Sequence, residues 1–246
     1  MFGECHAHIF MNGYHYLRAV KTHEKGPDEQ VVRAHLKAYQ DAGVKFVRDG
    51  GDRFGVSLLA RSLAPEYGIT YLTPGFAIHR EGFYGKVVGE GYSSFKEYET
   101  LIQKLKANGG DFVKIMTTGI LDFGSDGHVT GIPLPKKEVS VLVQIAHEAG
   151  FRVMAHTNTA QAVIDAAEAG VDSIEHGNYQ NPESIQCMKE YGVVWVPTVV
   201  TVKNLIGCGR FPDEILNRVW ETQKQGLRMG WHKRCLLYTS PSPRDA

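Results

Sequence analysis

The sequence predicts an α/β fold of the TIM-barrel type, a (β/α)8 barrel in which seven βα units are present and the eighth strand is missing. Two observations support this prediction. A helical run, a glycine and a short apolar strand follow one another six times, and a further strand in ECHAHIF precedes them. Strict alternation of strand and helix is typical of parallel α/β folds, and its regular spacing favours a barrel over an open sheet.

Each repeat is marked by a glycine at the predicted end of a helix. The phrases are DAGVKFVRD, EYGITYLTP, NGGDFVKIM, EAGFRVMAH, EAGVDSIEH and EYGVVWVPT. Glycine adopts the left-handed conformation that ends helices at the lowest cost. The predicted helix stops are therefore Gly43, Gly68, Gly110, Gly150, Gly170 and Gly192.

The segments before these glycines carry helix signals. DEQVVRAHLKAYQDAG and KKEVSVLVQIAHEAG place apolar residues three and four positions apart. NPESIQCMKEYG opens with an asparagine cap followed by proline, and Ser94 with Glu97 predicts a capping box. An open doubly wound sheet is the structural alternative, but no glycine-rich phosphate loop follows the first strand.

The predicted seventh helix runs from about Pro212 to Gly230, where an eighth strand should begin. The chain instead continues as WHKRCLLYTSPSPRDA, in which CLLYTSPSPRD has neither helical nor strand periodicity. This segment resembles the translation of a sequencing adapter, and a disordered polar tail is the alternative. We expect residues 1–234 to form the barrel, residues 235–246 to be a non-native tail, and the gene to be longer.

Charge and cysteine content narrow the class of protein. Lys and Arg number 27, as do Asp and Glu, so the basic excess typical of nucleic-acid or membrane surfaces is absent. The sequence has no apolar run of about 18 residues and no secretory signal, which predicts a protein without a membrane span. The four cysteines form no CxxC pair and indicate reduced thiols in a cytoplasmic protein.

Candidate metal ligands lie at the predicted carboxyl ends of the strands, where barrels carry their chemistry. The first strand offers His6 and His8, which share a face because strand side chains alternate. The fourth strand carries Lys114, and the fifth and sixth end in His156 and His176. Imidazole is the commonest metal ligand among side chains. A buried ammonium beside a cation is disfavoured, so Lys114 could contribute only as a neutral amine or as a carbamate formed with carbon dioxide.

Together these residues resemble the metal signature of the amidohydrolase superfamily. GVKFVRDGGD, DFVKIMTTG, MAHTN and AGVDSIEHGN are similar to its imidazolonepropionase-like branch, which includes Xaa-Lys/Arg dipeptidase-like enzymes. The similarity covers essentially all of residues 4–230. The lysine on the fourth strand implies the two-metal type with a carboxylated lysine, whereas imidazolonepropionase itself resembles a one-metal enzyme.

The resemblance implies a role for each ligand. His6 and His8 would bind one divalent ion, expected to be zinc, and His156 and His176 the second, with carboxylated Lys114 bridging them. A hydroxide held by the metals would attack the substrate carbonyl. The aspartate that the resemblance places at the end of an eighth strand is absent from this chain. The catalytic acid and base is therefore unknown, and we expect an incomplete, impaired form.

The expected function is that of a metal-dependent amidohydrolase cleaving C–N bonds of amides or peptides in small substrates, dipeptides included. Neither nucleic acid nor membrane is an expected partner, and assembly into a homo-oligomer is left open. One alternative is a one-metal cyclic amidase or deaminase of the same superfamily. Two others are a lyase or aldolase that forms a Schiff base on Lys114, and a non-catalytic fragment.

Three further side chains are candidate substrate contacts. His79 ends the third predicted strand, and Tyr179 and Arg210 lie in predicted loops on the reacting face, where they could grip a carboxylate. The remaining histidines are expected to be solvated: His15, His23, His35, His128 and His147.

Overall fold

The computed structural model describes residues 2–235 as an α/β protein built on parallel strands, which confirms the predicted fold class. The described strands are β1 (Phe2–Ala7), β2 (Val44–Asp49), β3 (Thr70–Leu72), β4 (Ala77–Arg80), β5 (Gly89–Tyr92), β6 (Val113–Met116), β7 (Val153–Thr157), β8 (Ser173–His176) and β9 (Val194–Val196).

Helices separate most of these strands, although β3, β4 and β5 follow one another directly. The helices are α1 (Tyr16–His23), α2 (Glu29–Asp41), α3 (Val56–Leu63), α4 (Phe95–Ala107), α5 (Lys136–Glu148), α6 (Ala160–Glu168), α7 (Pro182–Glu190), α8 (Val200–Lys203) and α9 (Asp213–His232), with a 3₁₀ turn at Ala64–Tyr67. No helix in residues 2–235 has the length and apolar composition needed to cross a membrane.

The first of two compact units comprises residues 2–81 and 85–114. Its first three strands form a sheet in the order β1-β2-β3. In a second sheet, β4 lies between β5 and the start of β6. Within the first sheet β1 pairs with β2 in parallel, so that Ala7 lies opposite Asp49. This register brings the end of β1 beside the turn that follows β2.

The second unit comprises residues 82–84 and 115–235, of which the strands follow the order β6-β7-β8-β9. Strands β7 and β8 are parallel, with His156 opposite Glu175 and Thr157 opposite His176. The helices of this unit contribute apolar residues to the buried core, among them Leu142 of α5 and Ile185 of α7. The carboxyl ends of β7 and β8 therefore lie side by side.

Most of the predicted helix stops are found where the repeat places them. Gly43, Gly68, Gly150, Gly170 and Gly192 all have positive φ angles. The expectation for Gly110 is wrong, because Gly109 takes the left-handed conformation (φ 71°) after α4. Gly110 is needed for a different reason: a Cβ there would lie 2.5 Å from the Leu105 side chain.

The predicted third strand is two separate strands, β3 and β4. Pro74 and Gly75 divide them, because proline cannot donate to the ladder and Gly75 has a φ angle of 80°. Strand β5 is an element that the sequence pattern does not predict, since GEGY lacks an apolar alternation. After α9 the described residues contain no further strand, and the predicted tail, apart from Cys235, lies outside them.

The N-terminal cap of α7 is Asn181, as the sequence predicts, and its contribution to stability can be measured. Asn181 accepts a hydrogen bond from the Ser184 backbone at 2.8 Å, and Ser184 Oγ accepts one from the Asn181 backbone at 3.1 Å. Replacing Asn181 by alanine is expected to lower the free energy of unfolding by about 1 kcal/mol, measured by urea denaturation. Gln161→Ala, which removes only an exposed i,i+4 bond to Asp165, should cost less than about 0.5 kcal/mol. Equal losses would contradict a capping role.

Candidate metal centre

His6 lies in β1, and His8 lies beside it, one residue beyond the end of the strand. Their ring centroids are 5.3 Å apart and both side chains are half-buried. His8 Nδ1 lies 2.9 Å from the carbonyl oxygen of Gly51. A carbonyl can only accept a hydrogen bond, so Nδ1 carries the proton and the lone pair of the neutral ring is on Nε2. His8 thus has the tautomer of a ligand that binds through Nε2.

Lys114 occupies the interior of β6, with 1% of its surface exposed. Its neighbours Val113, Ile115 and Met116 are also buried. Desolvation disfavours a charged ammonium in such surroundings and favours a neutral amine or a chemically modified one. The position therefore agrees with the requirement that a metal-binding lysine be converted to another form.

His156, at the end of β7, is buried and held by a backbone carbonyl. Its Nε2 lies 2.9 Å from Gly119 O, which also accepts a hydrogen bond from Asn158 Nδ2 at 3.1 Å. Because the carbonyl accepts, Nε2 carries the proton and Nδ1 carries the lone pair. The Tyr84 ring packs near the imidazole, with a centroid separation of 5.1 Å.

His176 ends β8 with its ring centroid 4.6 Å from that of His156. Its Nδ1 lies 2.7 Å from Thr198 Oγ1, and its carbonyl accepts from Trp195 Nε1 at 2.9 Å. Its φ angle of 68° is uncommon for a residue other than glycine. Strained conformations of this kind cluster at functional sites, where the surroundings hold them in place.

The donor chemistry of both units fits divalent first-row metals. Each unit supplies a pair of adjacent imidazoles, and hydrogen bonds to carbonyls or hydroxyls fix ring orientation in the way metal-binding histidines require. Within residues 2–235, however, no three His, Cys, Asp or Glu side chains are gathered into a group that could hold an ion. The histidines thus provide partial ligand sets, two side chains in each unit.

The three candidate substrate contacts have different surroundings. His79 is buried, and its ring borders a cavity of about 320 Å³ lined by charged side chains: Arg53, Glu81, Lys86 and Glu90. Tyr179 packs on a buried apolar cluster, and its hydroxyl donates to the carbonyl of Gly127. Arg210 is exposed, with its guanidinium 5.4 Å from the Phe211 ring centroid.

The expectation that all the other histidines are solvated is wrong for His35, which is half-buried with Nδ1 2.7 Å from the Ile9 carbonyl oxygen, and for His23. Only 1% of His23 is exposed, because the end of α1 faces the start of α2 and His23 Nδ1 accepts a hydrogen bond from the Asp28 backbone at 3.1 Å. His128 and His147 are exposed and lie beside acidic groups, Asp126 and Asp172 respectively.

Several polar residues near the histidines have roles that the sequence reading did not assign. Asp49 and Glu175 are both fully buried, and Glu175 accepts a hydrogen bond from Ser173 Oγ at 2.8 Å. An acidic residue inside an apolar strand, as in SIEH, is the signal that could have identified Glu175. Thr198 and Asn158 are the last residues of the phrases VPT and MAHTN, at strand ends where polar side chains are a sign of function.

Comparison with solved structures gives the same fold over nearly the whole chain. A prolidase complexed with N-methylphosphonate-L-proline is 21% identical, with a TM-score of 0.75, and the match covers 98% of this chain and 64% of that one. A Xaa-Pro dipeptidase with bound methionine is also 21% identical, with a TM-score of 0.73 and coverage of 96% and 64%. The ochratoxinase of A. niger is 18% identical, with a TM-score of 0.75 and coverage of 96% and 61%. These TM-scores show a shared fold.

Sequence comparison identifies the family. Uncharacterised proteins of Mycobacterium bovis and Mycobacterium tuberculosis are 36% identical over 74 residues, which make up 28% of this chain and 20% of theirs. The chain thus matches only a minor part of these relatives and less than two thirds of the solved structures. The sequence profile of the amidohydrolase family matches residues 2–225. The chain belongs to the amidohydrolase family.

Proposed function

We propose that this protein is a metal-dependent hydrolase that cleaves C–N bonds in small amides and dipeptides. The observation that carries the proposal is the His156–His176 pair. The two rings lie 4.6 Å apart, and Gly119 and Thr198 hold one nitrogen of each ring. Family membership supports the same reaction class.

The proposed ligands are the five residues named by the strand-end pattern. His6 and His8 would hold one ion, His156 and His176 a second, and Lys114, as a carbamate, would supply further oxygen ligands. Divalent metals bound there would supply Lewis acidity and lower the pKa of a water molecule. Zinc is the expected ion because imidazole ligands suit it.

The protein's own residues orient these ligands. The Gly51 and Gly119 carbonyls select opposite tautomers, so His8 would bind through Nε2 and His156 through Nδ1. Thr198, which contacts His176 Nδ1, would fix the ring of a residue already held in a left-handed conformation. Such orientation before binding reduces the cost of assembling the site.

We propose that the substrate is a dipeptide or a small N-acyl amino acid. This proposal places the protein near the prolidases and the imidazolonepropionase-like branch of the family. The names of the structural neighbours, a prolidase and a Xaa-Pro dipeptidase, support this class. His79 would contact the substrate carboxylate beside Arg53 and Lys86, which line the same cavity together with Glu81 and Glu90. Tyr179 and Arg210 are further candidates, although the Tyr179 hydroxyl must leave Gly127 in order to take part.

Hydrolysis and metal content test the proposal together. The chain purified with zinc and bicarbonate is expected to bind close to two equivalents of metal and to release amino acids from a dipeptide panel that includes Xaa-Pro members, at the low rate of an impaired form. Chelation with EDTA should abolish turnover, and added zinc should restore it. Metal binding without hydrolysis of any amide in the panel would contradict a hydrolase function for this chain.

The alternatives give different results in the same preparation. A one-metal amidase or deaminase would bind about one equivalent of zinc and would not need bicarbonate. A Schiff-base lyase would be trapped covalently at Lys114 by borohydride with a carbonyl substrate, and would retain activity in EDTA. Covalent trapping together with EDTA resistance would replace our proposal with the lyase.

A further inference from the structure

We propose that the turn Asp49-Gly50-Gly51, which follows β2, is a positioning element that sets the tautomer and place of the His8 ring. The idea that this turn prepares a metal ligand rests on the proposed function. The positioning of the His8 ring is a property of the metal-free protein. The residues involved belong to one unit, residues 2–81 with 85–114.

Asp49 links the turn to the residues that follow β1. Its carboxylate is fully buried and accepts a hydrogen bond from the Ile9 backbone at 2.7 Å, through Oδ2. The other oxygen, Oδ1, accepts from the Gly51 backbone at 2.7 Å. A third link runs from Gly50 N to the Ala7 carbonyl, also at 2.7 Å. The residues on both sides of His8 are therefore bonded to this one turn.

Gly51 passes this restraint to the imidazole. Its N–H is held by Asp49, and its carbonyl accepts from His8 Nδ1 at 2.9 Å. The Gly51 carbonyl belongs to the planar Gly51–Asp52 peptide, whose N–H donates to the Gly75 carbonyl at 3.1 Å, and this second bond keeps the Gly51 carbonyl in a narrow range of directions. The carbonyl selects the Nδ1–H tautomer of His8 and leaves the lone pair on Nε2.

Gly50 supplies the space for the ring. A Cβ at this position would lie 2.6 Å from His8 Cε1 and 2.8 Å from its Nε2. Gly50 does not have the left-handed backbone that strains other residues, so alanine is permitted by the backbone and would displace the ring. Gly51 differs, because its φ angle is 85° and a Cβ there would meet the Phe76 backbone at 2.9 Å.

Side-chain nitrogen NMR of the metal-free full chain tests this role directly, because a protonated and a lone-pair ring nitrogen give separate signals. Wild-type His8 is expected as the Nδ1–H tautomer. Gly50→Ala and Asp49→Asn are expected to convert His8 to a mixture of tautomers, while amide spectra show that the fold is retained.

Two control variants separate positioning from general disturbance. Gly3→Ala also adds a methyl group to this region, on β1, but its Cβ would lie 3.5 Å from the Phe46 side chain, an ordinary contact. Asp52→Asn alters a neighbouring buried carboxylate that caps α3 by accepting from the Phe54, Val56 and Ser57 backbones. Both controls should keep the wild-type His8 tautomer, even where Asp52→Asn lowers stability.

Zinc affinity, measured by competition with a chelator, provides the second measurement. Gly50→Ala is expected to weaken one zinc site by about 10- to 100-fold. An Nε2–H tautomer in the wild type, or an unchanged tautomer in both test variants, would overturn the positioning role. A wild type that shows the Nδ1–H tautomer but binds no zinc would instead contradict the proposed function and leave the positioning role intact.

Discussion

Replacing His176 by asparagine is expected to remove about one equivalent of bound zinc and to lower kcat/KM for the best dipeptide by more than about 100-fold. We expect a loss of more than about 100-fold because removing a residue that only orients a metal ligand costs about 10- to 100-fold, and here the ligand itself is removed. Asparagine tolerates the left-handed conformation seen at φ 68°, so the substitution adds little backbone strain. Metal analysis and steady-state kinetics on the same preparation measure both effects.

Two further variants show whether the effect belongs to the metal ligands. His147→Asn removes an exposed histidine of which Nε2 lies 3.1 Å from Asp172, and should keep both metal and activity. Thr198→Val removes the hydroxyl at His176 Nδ1 while keeping the side-chain shape, and should fall between the two at about 10- to 100-fold. Full zinc content and full activity in His176→Asn would exclude this residue as a ligand.

The parts of the fold that the sequence predicts are those with local causes. Helix α2 begins after Asp28, whose side chain accepts from the Val31 backbone, and α7 begins at its asparagine cap. Five of six predicted glycine stops are left-handed because a helix end needs that conformation within one or two residues. The sixth is shifted by a single residue, since two adjacent glycines give the same local signal.

The candidate site is predictable only in part, because its histidines have a sequence signature and the groups that orient them do not. His8, His156 and His176 contact Gly51, Gly119 and Thr198, which are 43, 37 and 22 residues distant in the chain. Two of these partners act through backbone carbonyls, which every residue carries. His23 is a similar case, since its burial depends on how α1 meets the start of α2.

The stability of the metal-free protein is expected to contain a contribution from Asp49 that falls by up to about 4 kcal/mol as pH rises from about 4 to about 7. Burial raises the pKa of the Asp49 carboxyl from its ordinary value of 3.8 to about 7, even though hydrogen bonds from the Ile9 and Gly51 backbones favour the charged form. Between these two pKa values the folded chain keeps a proton that the unfolded chain has released. Each rise in pH within this interval therefore favours unfolding.

Comparison with Asp49→Asn isolates this contribution. Urea unfolding of both proteins with EDTA present, at several pH values from 4 to 8, gives the difference in their free energies of unfolding. Titrating groups that do not interact with Asp49 are common to both proteins and cancel. His23 is one of them, and burial lowers its pKa. We expect the asparagine variant to gain stability relative to the wild type as pH rises, with no further gain above about pH 7.

The opposite slope would show that the two backbone N–H groups outweigh burial. In that case the charged carboxylate would stabilise the fold, and Asp49→Asn would lose stability relative to the wild type as pH rises. If the expected slope is found and Asp49→Asn also shows a mixture of His8 tautomers, a second conclusion follows. These two results would show that a buried carboxylate is retained at this turn at a cost in stability, because its two oxygens hold Ile9 and Gly51 where His8 needs them.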